Sequence, residues 1–301
     1  MCERVPALPA HPPPVVDLSD RCRSFGAEQH STFVVAPLRC IAVSWVHLHP
    51  PSSAGSSSVS SSTVWSRSPQ FPVLERAGSA VLLAVISGLL NAWTFQQAST
   101  FATVQSGNIV SLGYFLADGQ YGRLVSAAVS IVAFAAGACV CSIVVLLFER
   151  AGASYSTPVL VAEAVVLIGL AALFSSSLLG PVAVAWAVSF LAGVQGNAFH
   201  RETGMLYGNV AVTFVLQMGA SLVGRALGRR ISNDGQPHLR PAGSYFVVLA
   251  GFALGGGIGF TFDRWWASTS LIAAAIALLA LAAVALAQHG PVDPAQNAPT
   301  P

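Results

Sequence analysis

Charge is the scarcest commodity in this sequence. Of its 301 residues 9% are Asp, Glu, Lys or Arg, about a third of the share usual in soluble domains and too few to solvate a globule of this length. Lysine is missing altogether, and all 14 basic side chains are arginines. With heavy use of Ala, Gly and Val, this points to a GC-rich genome and a bacterial source. The net charge of +2 and the scatter of the arginines leave no basic footprint of the nucleic-acid kind. Cysteine is equally sparing. Cys2, Cys22 and Cys40 fall in the N-terminal region, and Cys139 and Cys141 lie two apart in an apolar stretch. On a helix the latter project about 200° apart, so they cannot share a metal or close an ordinary disulfide, and they read as small packing residues. No metal and no cofactor is expected. There is no His-Glu-x-x-His, no Gly-x-Ser-x-Gly elbow, no Walker loop and no Cys-x-x-Cys pair. An intramembrane hydrolase would have to draw on Ser106 or Ser87 with His200, which nothing in the sequence brings together. The chain is not expected to be an enzyme.

What is abundant is apolar length. Hydrophobic residues make up 54% of the chain and its mean hydropathy is +0.66. Eight apolar segments follow one another: Ala80 to Ala98, Gly107 to Ala117, Leu124 to Phe148, Pro158 to Leu178, Pro181 to Phe199, Gly208 to Leu227, Ser244 to Phe262 and Ser268 to Ala287. A helix needs about 20 residues to cross a hydrocarbon core, so most of these are long enough and the second is too short. The expected fold is an all-α polytopic membrane protein over residues 77–288, with about six full transmembrane helices plus two short or broken ones. Residues 1–72, with Pro12, Pro13, Pro14 and a serine tract from Ser56 to Ser62, read as a disordered tail. A start codon assigned too far upstream is a second reading of that region. Residues 289–301 read as a flexible C-terminal tail.

The segments repeat. Asn91, Ala92, Trp93 recur as Asn197, Ala198, Phe199; Gly107, Asn108, Ile109, Val110 as Gly208, Asn209, Val210, Ala211; and Ala133 to Gly137 as Gly251 to Gly255. The matches keep their order, so two halves are expected, about 80–178 and 181–287. If the two Gly-Asn segments stop short of crossing, each half has three spans and the halves are inverted. If they cross, each half has four and the halves are parallel. The arginines favour six crossings, because Arg67, Arg76, Arg150, Arg201, Arg225, Arg229, Arg230 and Arg240 then share one side against Arg123 and Arg264. Both termini are expected on the cytoplasmic side of the cell membrane.

Polar groups in lipid are costly unless partnered, which makes their positions informative. Asn91, Gln105, Ser106, Gly107 and Asn108 flank the first helix break, and Gln195, Asn197, Gly208 and Asn209 flank the second. Exposed N–H groups and the dipole of a half-helix start favour an anion or a polar ligand. The alternative is that these amides cap helices and bridge neighbours. Glu163 is the one carboxylate inside an otherwise apolar segment. It is either a coupling or substrate-binding group, or a side chain that reaches the interface or pairs with an arginine. His200, Arg201 and Glu202 read as an interfacial cluster. Gly251, Gly255 and Gly259 form a smooth strip for close helix packing, and Ala133 with Gly137 match it. Arg225, Arg229, Arg230 and Arg240 form a basic cluster suited to anionic lipid headgroups.

Ser87, Gly88 through Asn91, then Ser106, Gly107, Asn108 with Leu112 and Gly113, and later Gly193, Gln195, Gly196, Asn197, Ala198 with Gly208 and Asn209, resemble the YoaK family of bacterial multi-pass membrane proteins. In that family the first break usually reads Thr-Gly-Asn, where this chain has Ser106 first. The later helix carries Gly-x-Gln-Asn-Ala, where Gly196 is inserted here. The second break carries a Thr-Gly-Thr-like motif, where Tyr207, Gly208, Asn209 stand. The resemblance covers about Ala77 to Ala287, implies the membrane fold and supplies no activity. Two functional readings follow from the residues: a transporter or permease-like protein for a small polar or anionic solute, and a non-transporting scaffold or lipid-interacting protein. A chain shortened to begin near Val73 is expected to insert and accumulate like the full one, because residues 1–72 bury too little apolar surface to offset ordering entropy. Fractionation of membranes from cells expressing the two forms tests this.

Overall fold

In the computed structural model the described residues are 72–202, 205–206, 211–231, 235–288 and 292–293, with backbone alone at 201–202 and 205–206. Residues 1–71 of the expected tail 1–72, and Gly208 and Asn209 of the second break, lie outside them. A 3-10 turn, Val73–Glu75, leads into α1 (Ala77–Ala98), α2 (Gln105–Ala117), α3 (Tyr121–Arg150), α4 (Ser156–Ser175) and α5 (Pro181–Ala198). A two-residue antiparallel ladder, Arg201–Glu202 with Met205–Leu206, precedes α6 (Val212–Leu227), α7 (Leu239–Asp263) and α8 (Thr269–Leu286). Five helices, α1, α3, α4, α7 and α8, are long and apolar enough to cross a membrane. The expected sixth, α5, has 18 residues and carries Gln195 and Asn197 near its end.

Lipid is the solvent these faces require. Of the 30 residues of α3 only Ala127, Ser130, Gly137 and Cys141 are buried, while Val125, Val132, Val140, Ile143, Leu146 and Leu147 are exposed. Water would not tolerate so long an apolar flank. Trp265 and Trp266 lie exposed just beyond α7, as amphipathic rings do at a membrane surface.

Contacts fix the helix directions. Gly251 faces Val81, Gly255 faces Val85, and Gly259 faces Leu89 and Ala92, so α1 and α7 run parallel. Along α3 and α5, Trp186 donates to the Ser126 carbonyl (3.1 Å), Ser130 and Ser189 share a 2.8 Å hydrogen bond, and Asn197 donates to Ser142 (3.2 Å), so this pair is parallel too. Ser175 at the end of α4 meets Ser268 before α8 (2.8 Å). At the opposite end Asp293, just past α8, accepts from Ser154 Oγ (2.7 Å) and from the Tyr155 and Ser156 N–H groups. Thus α4 and α8 are antiparallel. Within 289–301, expected to be a flexible tail, Asp293 thereby serves as a cap on the N-terminus of α4, where a carboxylate is favoured. Tyr155 donates to the Ala198 carbonyl (3.3 Å), setting the start of α4 against the end of α5. Burial, with the Asp293 carboxylate beside it, pushes the Tyr155 phenol up, so it stays a donor. The indole of Trp93 donates to the Ala267 carbonyl and its ring meets Phe174 edge-on. Helices α1, α4 and α7 therefore run one way and α3, α5 and α8 the other. One core joins Leu83, Ile86, Leu90, Leu160, Leu167, Val188, Leu271 and Leu278; a smaller one ties α6 to α1 and α7 through Val215, Ala84 and Val248.

Two crossings bring backbone against backbone. A Cβ at Gly88 would overlap the Phe252 carbonyl, and one at Gly255 the Val85 carbonyl. A Cβ at Gly137 would overlap the Phe190 carbonyl, and one at Gly193 the Phe134 carbonyl. Neither neighbour is a flexible side chain, so neither crossing can absorb a methyl group without the helices parting. Gly255→Leu is expected to destabilise the protein by roughly 3 kcal/mol, whereas Leu254→Ala, on the exposed face of α7, stays within about 0.5 kcal/mol. Thermal melts of both variants in one detergent make the comparison.

Candidate functional site

The chain leaving α1 turns at Ser99, whose left-handed backbone (φ 51°) ends the helix. It then passes back beside the helix it has left. The Ala102 N–H donates to Thr94 Oγ1 and the Thr103 N–H to Asn91 Oδ1, each at 3.2 Å. Two α1 side chains thus replace the backbone partners that an irregular segment would otherwise lack in lipid. Asn108, buried in the first turns of α2, ties the rest. Its Oδ1 accepts from Thr100 Oγ1 (3.1 Å) and the Phe101 N–H (3.2 Å). Its Nδ2 donates to the Phe101 carbonyl (2.6 Å), Gln105 Oε1 (2.8 Å) and Ser130 Oγ (3.1 Å). Gln105 in turn donates to the Ala102 carbonyl (2.6 Å). Gly107 sits against the Phe101 ring, where a Cβ would come within 2.9 Å of it. Ser106 is exposed.

Above this clasp lies an open cavity of about 540 Å³. Gln97, Thr100, Asn108, Ser111, Arg123 and Ser126 give it a polar wall, with Phe95, Phe101 and Phe115 as its apolar part. Ser126 Oγ is buried without a hydrogen-bond partner. The exposed Arg123 guanidinium stands 5.9 Å from the centre of the Phe115 ring, which holds a cation at the rim. Asn108 borders this space with both ends of its amide hydrogen-bonded to the loop and to Ser130.

A second polar group lies deeper. Gln195 of α5 accepts from Ser87 Oγ of α1 (3.1 Å) and donates to Glu163 Oε2 of α4 (3.4 Å). All three are buried, and Glu163 Oε1 has no partner. Glu163 is buried, and among the described residues its hydrogen-bond partner is Gln195 rather than an arginine. The two groups are joined along α1, where Ser87, Asn91 and Thr94 share one face at helical spacing.

The comparisons with known proteins add one fact. The chain belongs to the DUF1275 family. The matching model is described as a protein of unknown function and covers residues 79–285. This is the family that the YoaK resemblance pointed to. No curated protein and no solved structure matches the chain.

For this DUF1275 protein, then, the structure brings together Asn91, Gln105, Gly107 and Asn108 at one level and Gln195 with Glu163 at another. Asn197 is set apart, donating to Ser142, and Gly208 and Asn209 fall outside the described residues. His200 Nδ1 hydrogen-bonds the Asn197 carbonyl (3.0 Å), and Ser87 donates to Gln195. Sequence reading missed Thr94, Thr100, Ser130, Ser189 and Arg123. For Thr94 the signal was present, as the third member of the Ser87, Asn91, Thr94 stripe. Isolated hydroxyls such as Ser130 and Ser189 carry no such mark. Asn108→Leu is expected to cost about 2–4 kcal/mol, since it strips partners from several buried polar groups at once. A fall in the unliganded melting temperature measures it.

Proposed function

We propose that this DUF1275 protein is a transporter or permease-like protein of the cell membrane for a small polar or anionic solute, and not an enzyme. The observation that carries this reading is the open polar cavity at the first helix break, with Arg123 at its rim and the unpartnered Ser126 hydroxyl in its wall. In a protein short of charge, a cation over a hydroxyl-lined cavity suits an anionic or hydrogen-bonding solute.

The helix directions support six crossings and two inverted halves, 80–178 and 181–287. With α5 counted as a span, the order of crossings alternates only if α2 and α6 stop short. Asn108 at the start of α2 lies beside Ser130 within α3, while Phe115 near its end lies beneath Arg123 at the start of α3. That is the course of a half-helix rising from inside the bilayer. The packing pattern favours the repeat as well, because α1 on α7 corresponds to α5 on α3, and α6 on α7 to α2 on α3. Gly88 then corresponds to Gly193, and Gly255 to Gly137. In this arrangement Arg76, Arg150, Arg201, Arg225, Arg229, Arg230 and Arg240 gather at one end of the bundle, and Arg123 and Arg264 at the other. The arginine-rich end is the cytoplasmic one, with both ends of the helical domain, and the cavity faces out. Arg225, Arg229, Arg230 and Arg240 are all exposed there, beside exposed Leu227, Ile231 and Leu239, as suits contact with anionic lipid headgroups.

A scaffold without transport is the second reading, favoured by the fully engaged amide of Asn108. The two forecasts differ in a thermal-shift screen of the purified full chain with sodium sulfate, phosphate, glutamate and neutral sugars. Transport expects one solute to raise the melting temperature, by about 2.7 kcal/mol in stability at a hundredfold excess over its dissociation constant. It also expects Arg123→Gln to weaken that solute about tenfold while leaving the unliganded melt unchanged. If no solute shifts the melt, the scaffold reading replaces it.

A further inference from the structure

Glu163 is a buried carboxyl in the apolar helix α4, with Oε1 unpartnered. It lies about 10 Å along α4 from the Ser156 end, at 1.5 Å per residue. Its neighbours from each packed helix are few. Gln195 comes from α5, the Cys141 thiol from α3 and, behind Gln195, the Ser87 hydroxyl from α1. The facing stretch of α8 beyond Ser270 is wholly apolar, and no charged side chain among the described residues offsets the carboxyl. A carboxylate so placed costs several kcal/mol, and a neutral acid far less. Glu163 also borders a cavity of about 300 Å³ between α3, α4 and α5, walled by Val140, Cys141, Val144, Val166, Phe190 and Val194. Val140 and Val166 are exposed, so the cavity opens on the apolar flank of the bundle. On α3 the residue after Cys141, Ser142, accepts a hydrogen bond from Asn197 near the end of α5 (3.2 Å).

We infer that Glu163 is an exchangeable proton site, and that its protonation is relayed to α1 by the Gln195 amide. As placed, Gln195 presents its N–H to Glu163 and its carbonyl oxygen to Ser87. A carboxylate accepts that N–H. Once Glu163 takes a proton on Oε2, its O–H donates instead, and the best partner is the amide oxygen, so the amide turns over and offers its N–H to Ser87. Ser87 can answer either way, since a hydroxyl both donates and accepts. The proton comes from and returns to the aqueous phase at the Asn197 end of the bundle, and no other bond changes. Ser87 shares its face of α1 with Asn91 and Thr94, which hold the loop beneath the outer cavity. The proton is thus placed to drive the solute, a clause that rests on the transport reading, while the proton site itself does not.

Dicyclohexylcarbodiimide tests the site directly, because this apolar reagent partitions into membranes and adds to protonated carboxyls, leaving a stable acylurea. The full chain in phosphatidylcholine vesicles is treated from pH 5 to pH 9 and its peptides are weighed. One adduct at Glu163 is expected, falling at least tenfold as pH rises and absent in Glu163→Gln. No adduct at Glu163 at any pH, or one that is independent of pH, overturns the proposal. Gln195→Leu is the second variant: it keeps the adduct, which shows the fold intact, and removes the relay. For coupling, vesicles holding a trapped pH dye receive pulses of sodium sulfate, phosphate or glutamate. Uptake with a change in internal pH, lost in both variants, is expected. Uptake without a pH change overturns the coupling and leaves transport standing. A pH-dependent adduct without uptake of any anion upholds the proton site and removes the transport reading.

Discussion

Two backbone crossings govern this molecule. At Gly88 with Gly255, and at Gly137 with Gly193, helices meet with no side chain between them. In lipid there is no hydrophobic gain from joining two apolar helices, so association rests on close packing and on polar bonds. The glycines supply the packing, and the polar bonds lie directly beside them. Ser87 precedes Gly88, and Gln195 is two residues past Gly193. The close approach at these glycines sets where the hydroxyl and the amide can meet, and through them where Glu163 meets Gln195.

The second organising fact is the cost of an irregular backbone packed among apolar helices. Residues 99–104 leave the helical hydrogen-bond pattern, and each of their freed groups is costly unless a side chain answers it. Asn91, Thr94, Gln105 and Asn108 provide those answers, which makes the loop a rigid floor under the polar cavity. The amides that stand out in the sequence hydrogen-bond this loop. The rest of the cavity's polar wall comes from other residues, notably Arg123, Ser111 and Ser126.

Much of the fold was legible from residue order. Long apolar runs mark helices for lipid whatever they pack on, and the spacing of Gly251, Gly255 and Gly259 marks a face for close contact. The polar residues around the two breaks were equally plain, because any amide in an apolar run stands out. What could not be read was direction. Which neighbour a side chain such as Asn108 meets is set by the position of Phe101, which the sequence does not give.

By itself, then, the sequence determined a lipid-embedded helical protein with a broken first half and a carboxyl set in an apolar helix, since these follow from composition and local spacing. Only the tertiary structure decided that α4 and α8 run antiparallel, that Asn108 is saturated, and that Glu163 meets Gln195 rather than an arginine. Those facts depend on which helices touch. In a membrane that choice rests on shape and on a few hydrogen bonds between residues far apart in the chain, of which single residues such as Ser130 and Ser189 give no local sign.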